Sequence, residues 1–317
     1  KDRLRMSKKI AILFPGQGSQ YEGMGRDLIA SPVYKRAKEI LDDHTYSVVE
    51  EASLDQLSKT RYGQVAIFLN SLSLYQELKD RVLDPNDISV SASLGLSLGE
   101  YTALCAAGVF SLDEGIDLVK NRGLIMGQGA GGKGSMVAVM KTSLENIQDL
   151  VDQAKEDNVL AVCNLNSPGQ IVVGGEFEAL DRFEEKCKEA KIKRYMRLNV
   201  EGPFHTQILS QAAQEFADDY LAKIDYREPG MDVYTNLSGK NYKQVDSIVE
   251  NLKDQMCSPV RFIDCVENMI ADGCQVFIEI GPGKSLSGFV KKINKDVRVI
   301  NIQNISDIEG IDLEDLK

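Results

Sequence analysis

Histidine is nearly absent from this chain of 317 residues. Only His44 and His205 occur, too few for a histidine-rich metal cluster, which argues against a zinc site. Six cysteines, at 105, 163, 187, 257, 265 and 274, form no C-x-x-C pair and lie within apolar patterns. That is the signature of reduced thiols in a cytoplasm and not of a disulfide framework. No apolar run reaches the roughly 18 residues that a bilayer demands, and residues 1–9 lack the apolar segment of a secretory signal. Met6 is expected to be the natural start, with residues 1–5 foreign to it. Basic charge is also short. With 37 Lys+Arg against 48 Asp+Glu the net charge is −11, which argues against general affinity for nucleic acid or an anionic membrane. Neither internal repeats nor low-complexity tracts are found.

What remains is an ordinary globular composition. At 43% apolar residues the chain can bury a full core, as one large domain or two unequal ones. Its most informative string is Gly95-Leu-Ser-Leu-Gly99. The run upstream, residues 87–94, is β-branched and small, while Leu98, Tyr101, Leu104 and Cys105 follow at helical spacing. A Gly-x-Ser-x-Gly string between strand and helix is the context of a nucleophile elbow. The glycines let the backbone turn sharply, which lifts the Ser97 hydroxyl off the sheet beside a helix N-terminus able to stabilise an oxyanion. The chemistry implied is acyl transfer through a serine ester. A serine hydroxyl needs a base. His205 is the credible choice, because His44 lies in a polar helical stretch and is expected to be a surface residue without a role.

An opening strand over residues 9–14 runs into the glycine-rich turn Pro15-Gly-Gln-Gly-Ser-Gln20, and helical patterns dominate to about residue 83. After the elbow, a helix spans residues 111–126, with Ser111 as its cap. The glycine run of residues 127–134 formally contains G-x-G-x-x-G, but it stands after a helix and before a strand, the reverse of the dinucleotide-binding order, so it reads as a flexible hinge. From 134 to 200 the pattern is strand (135–140), helix (143–157), strand (159–165), strand (170–174), helix (176–190), strand (194–200). This βαββαβ order is ferredoxin-like. Its position suggests insertion into a larger α/β domain. The expected organisation is a discontinuous α/β-hydrolase-like domain, residues 1–132 and 201–317, carrying a ferredoxin-like small domain, residues 133–200. The large part resumes at Gly202-Pro-Phe-His205 with a long helix, and closes with a strand over 275–280, the turn Gly281-Pro-Gly-Lys-Ser285 and a short basic helix.

Five strings in this order, Gly16-Gln-Gly-Ser-Gln20, Gly95-Leu-Ser-Leu-Gly-Glu100, Lys120-Asn-Arg-Gly123, Gly202-Pro-Phe-His205 and Glu279-Ile-Gly-Pro-Gly-Lys284, resemble the malonyl-CoA:acyl carrier protein transacylases over residues 9 to 300. The resemblance implies Ser97 as nucleophile, His205 as general base and acid, and the backbone N–H groups of Gln17 and Leu98 as oxyanion hole. It implies further that a backbone carbonyl orients the histidine, placed by the Ser258-Pro-Val-Arg261 segment at or near Arg261. Arg122 resembles the residue that holds the free malonyl carboxylate. A guanidinium can take a carboxylate through two parallel hydrogen bonds, as a lysine cannot. Phe204 resembles the malonyl-selecting version of its segment, its ring leaving little room for a 2-methyl group. Met126, one turn beyond Arg122, either lines the same pocket or belongs to the core. Asn166 and Gln170 are expected contacts of the pantetheine arm.

The chain departs from the commonest family pattern at Leu96, where most members carry histidine. The implied reaction moves a malonyl group from coenzyme A to the phosphopantetheine thiol of an acyl carrier protein, with no metal or bound cofactor, coenzyme A entering only as thioester substrate. A stand-alone protein of this length favours fatty acid over polyketide synthesis. The acidic carrier is expected to dock on the basic stretch of residues 186–197. Two alternatives stand beside this one. A serine esterase of α/β-hydrolase type suits the elbow but leaves Arg122 and the insert without a purpose, and a non-catalytic scaffold leaves the joint presence of Ser97, His205, Gln17 and Arg122 unexplained.

Overall fold

The computed structural model describes residues 8–317, so Met6 and the residues before it lie outside the described part. Nine strands, β1 (Lys9–Phe14), β2 (Ala92–Gly95), β3 (Gly134–Met140), β4 (Leu160–Ser167), β5 (Gln170–Glu176), β6 (Tyr195–Arg197), β7 (Asp232–Tyr234), β8 (Cys274–Ile280) and β9 (Arg298–Ile302), form two sheets. The first, in the order β7-β2-β1-β8-β9, is parallel at every pairing. A parallel sheet needs covering on both faces, and β1 shows why it gets it. Its sequence, KIAILF, is an unbroken apolar run after the first residue. Ile10, Ile12 and Phe14 point into one core beneath the helix Thr60–Leu78, while Ala11 and Leu13 point into another with Phe262, Val266 and Phe289. The helix Thr60–Leu78 is buried around nearly its whole circumference, taking the polar Gln64, Asn70, Ser71 and Ser73 inside with its apolar residues.

The second sheet is antiparallel, in the order β4-β5-β3-β6. Alternation along its strands separates two faces. Val137, Val139 and Val173 pack under the helices Leu144–Ala154 and Phe177–Glu189, around Phe183, whereas Met136, Ala138 and Val172 belong to the large core of the first sheet. The inner face of the small sheet is therefore one wall of whatever lies between the sheets. The backbone ties them further: Val260 N–H donates to Cys163 O at 2.8 Å, and Leu165 N–H donates to Val260 O at 2.9 Å.

Two expectations need correction. The helix before β3 runs over Leu112–Ala130, so Gly127 and Gly129 are helical, and only the short turn after Ala130 separates that helix from β3. The strand before the elbow is four residues long, Ala92–Gly95 paired with Ala11–Phe14, and the residues between the turn at Asp87 (φ 54°) and Ala92 are not strand. The sequence reading also passed over β7 and β9, a three-residue and a five-residue strand at the two edges of the parallel sheet.

Candidate active site

In an open parallel sheet, ligand sites gather beyond the carboxyl ends of the strands. Here the segments leaving β1, β2 and β7, three adjacent strands, supply Gln17, Ser97 and Asn236. Ser97 stands between β2 and the helix Leu98–Ala106 at φ 53°, ψ −100°, a conformation that costs a non-glycine residue energy and marks an elbow. The turn is tight enough that a Cβ on Gly95 would lie 1.7 Å from the Gly99 carbonyl carbon. Its peptide is held on both sides, since Ser97 N–H donates to Asn236 Oδ1 at 2.7 Å and Gln255 Nε2 donates to Ser97 O at 3.0 Å. The loop after β1 presses against it, with the position of a Gly16 Cβ only 2.3 Å from Leu96 O.

The three residues singled out from the sequence converge. Ser97 Oγ lies 2.8 Å from His205 Nε2 and accepts from Arg122 Nη2 at 3.1 Å. His205 Nδ1 lies 2.8 Å from Gln255 O. A carbonyl can only accept, so Nδ1 carries the ring proton and Nε2 is left as acceptor for the serine hydroxyl. Burial, and then the charge of Arg122, hold the imidazole pKa down at about 4, against the opposing pull of the Gln255 and Ser258 backbones. A neutral base at ordinary pH is the result.

Arg122 is fully buried in the helix Leu112–Ala130. Its Nη1 donates to Gln64 Oε1 at 2.8 Å and its Nη2 to Gln255 Oε1 at 2.9 Å, with Tyr101 stacked 4.9 Å from the guanidinium carbon. Its Nε finds no partner, and no carboxylate among the described residues pairs with it. Burial lowers the Arg122 pKa, while Tyr101 and, to a lesser degree, Glu100 raise it, but an arginine stays cationic in a protein. A buried, charged guanidinium with donor capacity to spare is a receptor for an anion.

Around these groups is a cavity of about 140 Å³ lined by Gln17, Gln64, Leu96, Ser97, Leu98, Arg122, Met126, Phe204 and His205 from one side and by Met136, Asn164, Asn166 and Val172 of the small sheet from the other. Met126 resolves as lining residue and core residue together, 1% exposed and in contact with Gln64 Nε2 through its sulfur. Asn166 is 7% exposed, and its Oδ1 is buried without a partner. Gln17 is tied to Thr60 Oγ1 through Nε2 at 3.1 Å, and Leu98 opens the helix behind the serine.

Other expected residues fall elsewhere. Arg261 does not orient the histidine, because its carbonyl accepts from Cys265 N–H as the helix Phe262–Ala271 begins, and its exposed side chain pairs with Asp264. Gln255 supplies the carbonyl instead, from the end of the helix Ile248–Gln255, three residues before the segment that the sequence pointed to. Gln170 accepts from Lys292 and is not among the cavity residues. His44 is exposed and bonded to the Tyr62 hydroxyl. Of the basic stretch, Lys186 and Arg197 are engaged with Glu189, Asp181 and Glu184, while Lys188, Lys191, Lys193 and Arg194 are exposed. Sequence reasoning missed Gln64, Asn236 and Gln255, which are single polar residues in otherwise unremarkable segments. Glu100 was visible as the last residue of the elbow string but was given no role.

Residues 12–308 match the acyl transferase domain family. A malonyl CoA-acyl carrier protein transacylase of Bacillus subtilis is 35% identical over 308 residues, 95% of both chains, and one of Staphylococcus aureus is 36% identical over 312 residues, covering 95% of this chain and 98% of the relative. Among solved structures, the malonyl CoA-acyl carrier protein transacylase of Clostridium perfringens superposes with a TM-score of 0.86 at 38% identity, over 95% of each chain. A malonyl-transacylase solved in complex with its type II PKS acyl-carrier protein superposes with a TM-score of 0.88 at 31% identity, over 97% of this chain and 99% of the other. No described helix is long and apolar enough to cross a membrane.

Proposed function

From the premise that the chain belongs to the acyl transferase domain family, among its malonyl-CoA:acyl carrier protein transacylases, we propose how its residues divide the work. The enzyme transfers malonyl from coenzyme A to the thiol of acyl carrier protein. Ser97 Oγ attacks the malonyl thioester carbonyl as His205 Nε2 takes its proton. The tetrahedral oxyanion is received by the N–H groups of Gln17 and Leu98, the second of which stands at a helix N-terminus where donors lack intrahelical partners. The coenzyme A sulfur leaves and recovers the proton from the imidazolium, and the malonyl group stays as a serine ester. The pantetheine thiol of the carrier then retraces the path, giving its proton to His205 as it attacks the ester.

The observation that carries this reading is the position of Ser97 Oγ, within 2.8 Å of a base and 3.1 Å of a buried guanidinium. A malonyl group places its reacting carbonyl and its carboxylate one carbon apart, and the site offers a nucleophile and a cation at matching closeness. Arg122 takes the carboxylate, Phe204 and Met126 bound the space beside it, and Asn166, with a free buried acceptor, meets a donor of the pantetheine arm. Serine, histidine and backbone donors complete this chemistry without a cofactor. An esterase would have no use for Arg122.

The small sheet's order, β4-β5-β3-β6 with two helices on one face, supports a ferredoxin-like unit over residues 133–200, inserted into an α/β-hydrolase-like domain made of 1–132 and 201–317. Fatty acid biosynthesis in the cytoplasm is the setting that fits, and the free cysteines suit a reducing compartment. The test is the intact mass after incubation with malonyl-CoA. A malonyl adduct on the native protein, absent from Ser97→Ala, is expected. Turnover to free malonate without an adduct would point to hydrolysis, and neither product would leave a scaffold.

A further inference from the structure

Glu100, wholly buried one turn after the nucleophile, is engaged by three donors. Asn236 N–H reaches its Oε2 at 3.1 Å, Gln255 Nε2 reaches the same oxygen at 2.7 Å, and the Tyr242 hydroxyl reaches Oε1. Asn236 N–H and Gln255 Nε2 can only donate, and a carboxylate accepts from both of them and from the Tyr242 hydroxyl. Those hydrogen bonds favour the ionised form, against the burial that raises its pKa.

Two of those partners are the residues that grip the elbow. Asn236 Oδ1 receives Ser97 N–H, Asn236 Nδ2 donates to Gly95 O at 2.7 Å, and Gln255 Nε2 is shared between Ser97 O and Glu100. The Gln255 amide also runs the other way, its Oε1 receiving Arg122 Nη2. One carboxamide thus stands between a buried cation and a buried anion. A direct ion pair would neutralise Arg122 by occupying its donors, whereas a counter-charge one amide removed offsets the cost of burying the cation and leaves donors for a substrate.

We propose that Glu100 is the positioning residue of this site, acting through Asn236 and Gln255 to hold Ser97 in its elbow conformation and to balance Arg122 without blocking it. It touches neither substrate nor the reacting atoms. The proposal rests on Ser97 being the nucleophile, and the two can fail separately. Absence of an adduct at Ser97 in the native protein removes the nucleophile, whereas this inference concerns only the rate at which that adduct forms.

The experiment is single-turnover malonylation of native protein, Glu100→Gln, Glu100→Asp, Gln255→Ala and the Glu100→Gln/Gln255→Ala pair, followed by mass at Ser97. Glu100→Gln is expected to slow acylation on the order of 10²-fold, the scale that follows from misplacing a reacting atom by about 1 Å, with the KM for malonyl-CoA little changed. Glu100→Asp, which keeps the charge, is expected to recover part of the rate. The double variant is expected to be no slower than the slower single, since residues acting through one path are non-additive. A folded Glu100→Gln that acylates at the native rate, or losses that multiply in the pair, would overturn the proposal. If Glu100→Gln does not fold, Gln255→Ala decides alone, because native-rate acylation by a protein without the bridging amide contradicts the path.

Discussion

Arg122 Nη2 and Ser97 Oγ are hydrogen-bonded at 3.1 Å although 25 residues separate them in the chain. In the function proposed above, the guanidinium faces two partners in turn, the nucleophile before reaction and the substrate's carboxylate during it. Because Arg122 is fully buried, the carboxylate it meets is withdrawn from water along with it, and the pairing is worth far more than one at the surface.

Arg122→Ala is expected to lose preference for malonyl-CoA over acetyl-CoA by about 2–5 kcal/mol, the range found when one partner of a buried charge pair is removed. The measurement is the ratio of kcat/KM for the two thioesters. An unchanged ratio would take Arg122 out of the substrate site. Arg122→Lys is expected to recover little, since an ammonium cannot reproduce the two-pronged contact or the stacking on Tyr101.

The second prediction concerns pH. His205 has a folded pKa of about 4, below its ordinary 6.5, with burial the larger cause and Arg122 the next. The base is neutral down to about pH 4, so kcat/KM for malonyl-CoA should be flat from neutrality to about pH 5 and fall below about 4. Removing the cation in Arg122→Ala should move that acid limb toward neutral pH. For stability the sign is fixed by the same depression. The unfolded chain takes up the proton first, so the contribution is intact above about 6.5 and is lost as pH falls from 6.5 to 4, by roughly 3 kcal/mol. His205→Gln should flatten that part of the stability profile in chemical denaturation, and a native-like slope in the variant would assign the loss to other groups.

The third prediction tests the elbow. Gly95→Ala puts a methyl 1.7 Å from the Gly99 carbonyl carbon, and backbone cannot step aside as a flexible side chain can. The strand, the turn and the helix Leu98–Ala106 must move together, so the variant should be destabilised by upwards of about 2 kcal/mol and should lose acylation even where it folds. Thermal denaturation and the malonyl adduct measure the two effects, and native values of both would show the turn to be looser than its geometry.

How much of this was legible in the sequence follows from what local patterns encode. The unbroken apolar run of β1, the Ser111 cap and the order of elements through residues 134–197 depend on neighbours in the chain, and the structure contains them. The edge strands β7 and β9 are short and have no period to detect. Ser97, His205 and Arg122 were reachable because their types are chemically scarce or sit in distinctive strings. Gln255 was not, because what it offers the histidine is a carbonyl that every residue possesses, and only the packing of the helix Ile248–Gln255 against the elbow selects it. The misplacement at Arg261 has the same origin. A backbone acceptor already committed to starting a helix is indistinguishable, in sequence, from a free one.

The last prediction concerns the carrier protein. Lys188, Lys191, Lys193 and Arg194 are exposed in a chain of net charge −11, so they form a local exception to its overall sign. Lys186 and Arg197 nearby are already paired with acidic side chains and have less to offer a partner. An acidic carrier approaching this protein is repelled on average and steered only by such an exception, and steering acts on association more than on chemistry. Reversing Lys191, Lys193 and Arg194 to glutamate should therefore raise the KM for carrier protein by about tenfold or more, with the effect shrinking as salt is added. Acylation of Ser97 by malonyl-CoA, which needs no carrier, should proceed at the native rate. Transfer that is as fast in the triple variant as in the native enzyme at low salt would move the docking surface elsewhere, and slowed acylation would mean that the substitutions had disturbed the small sheet itself.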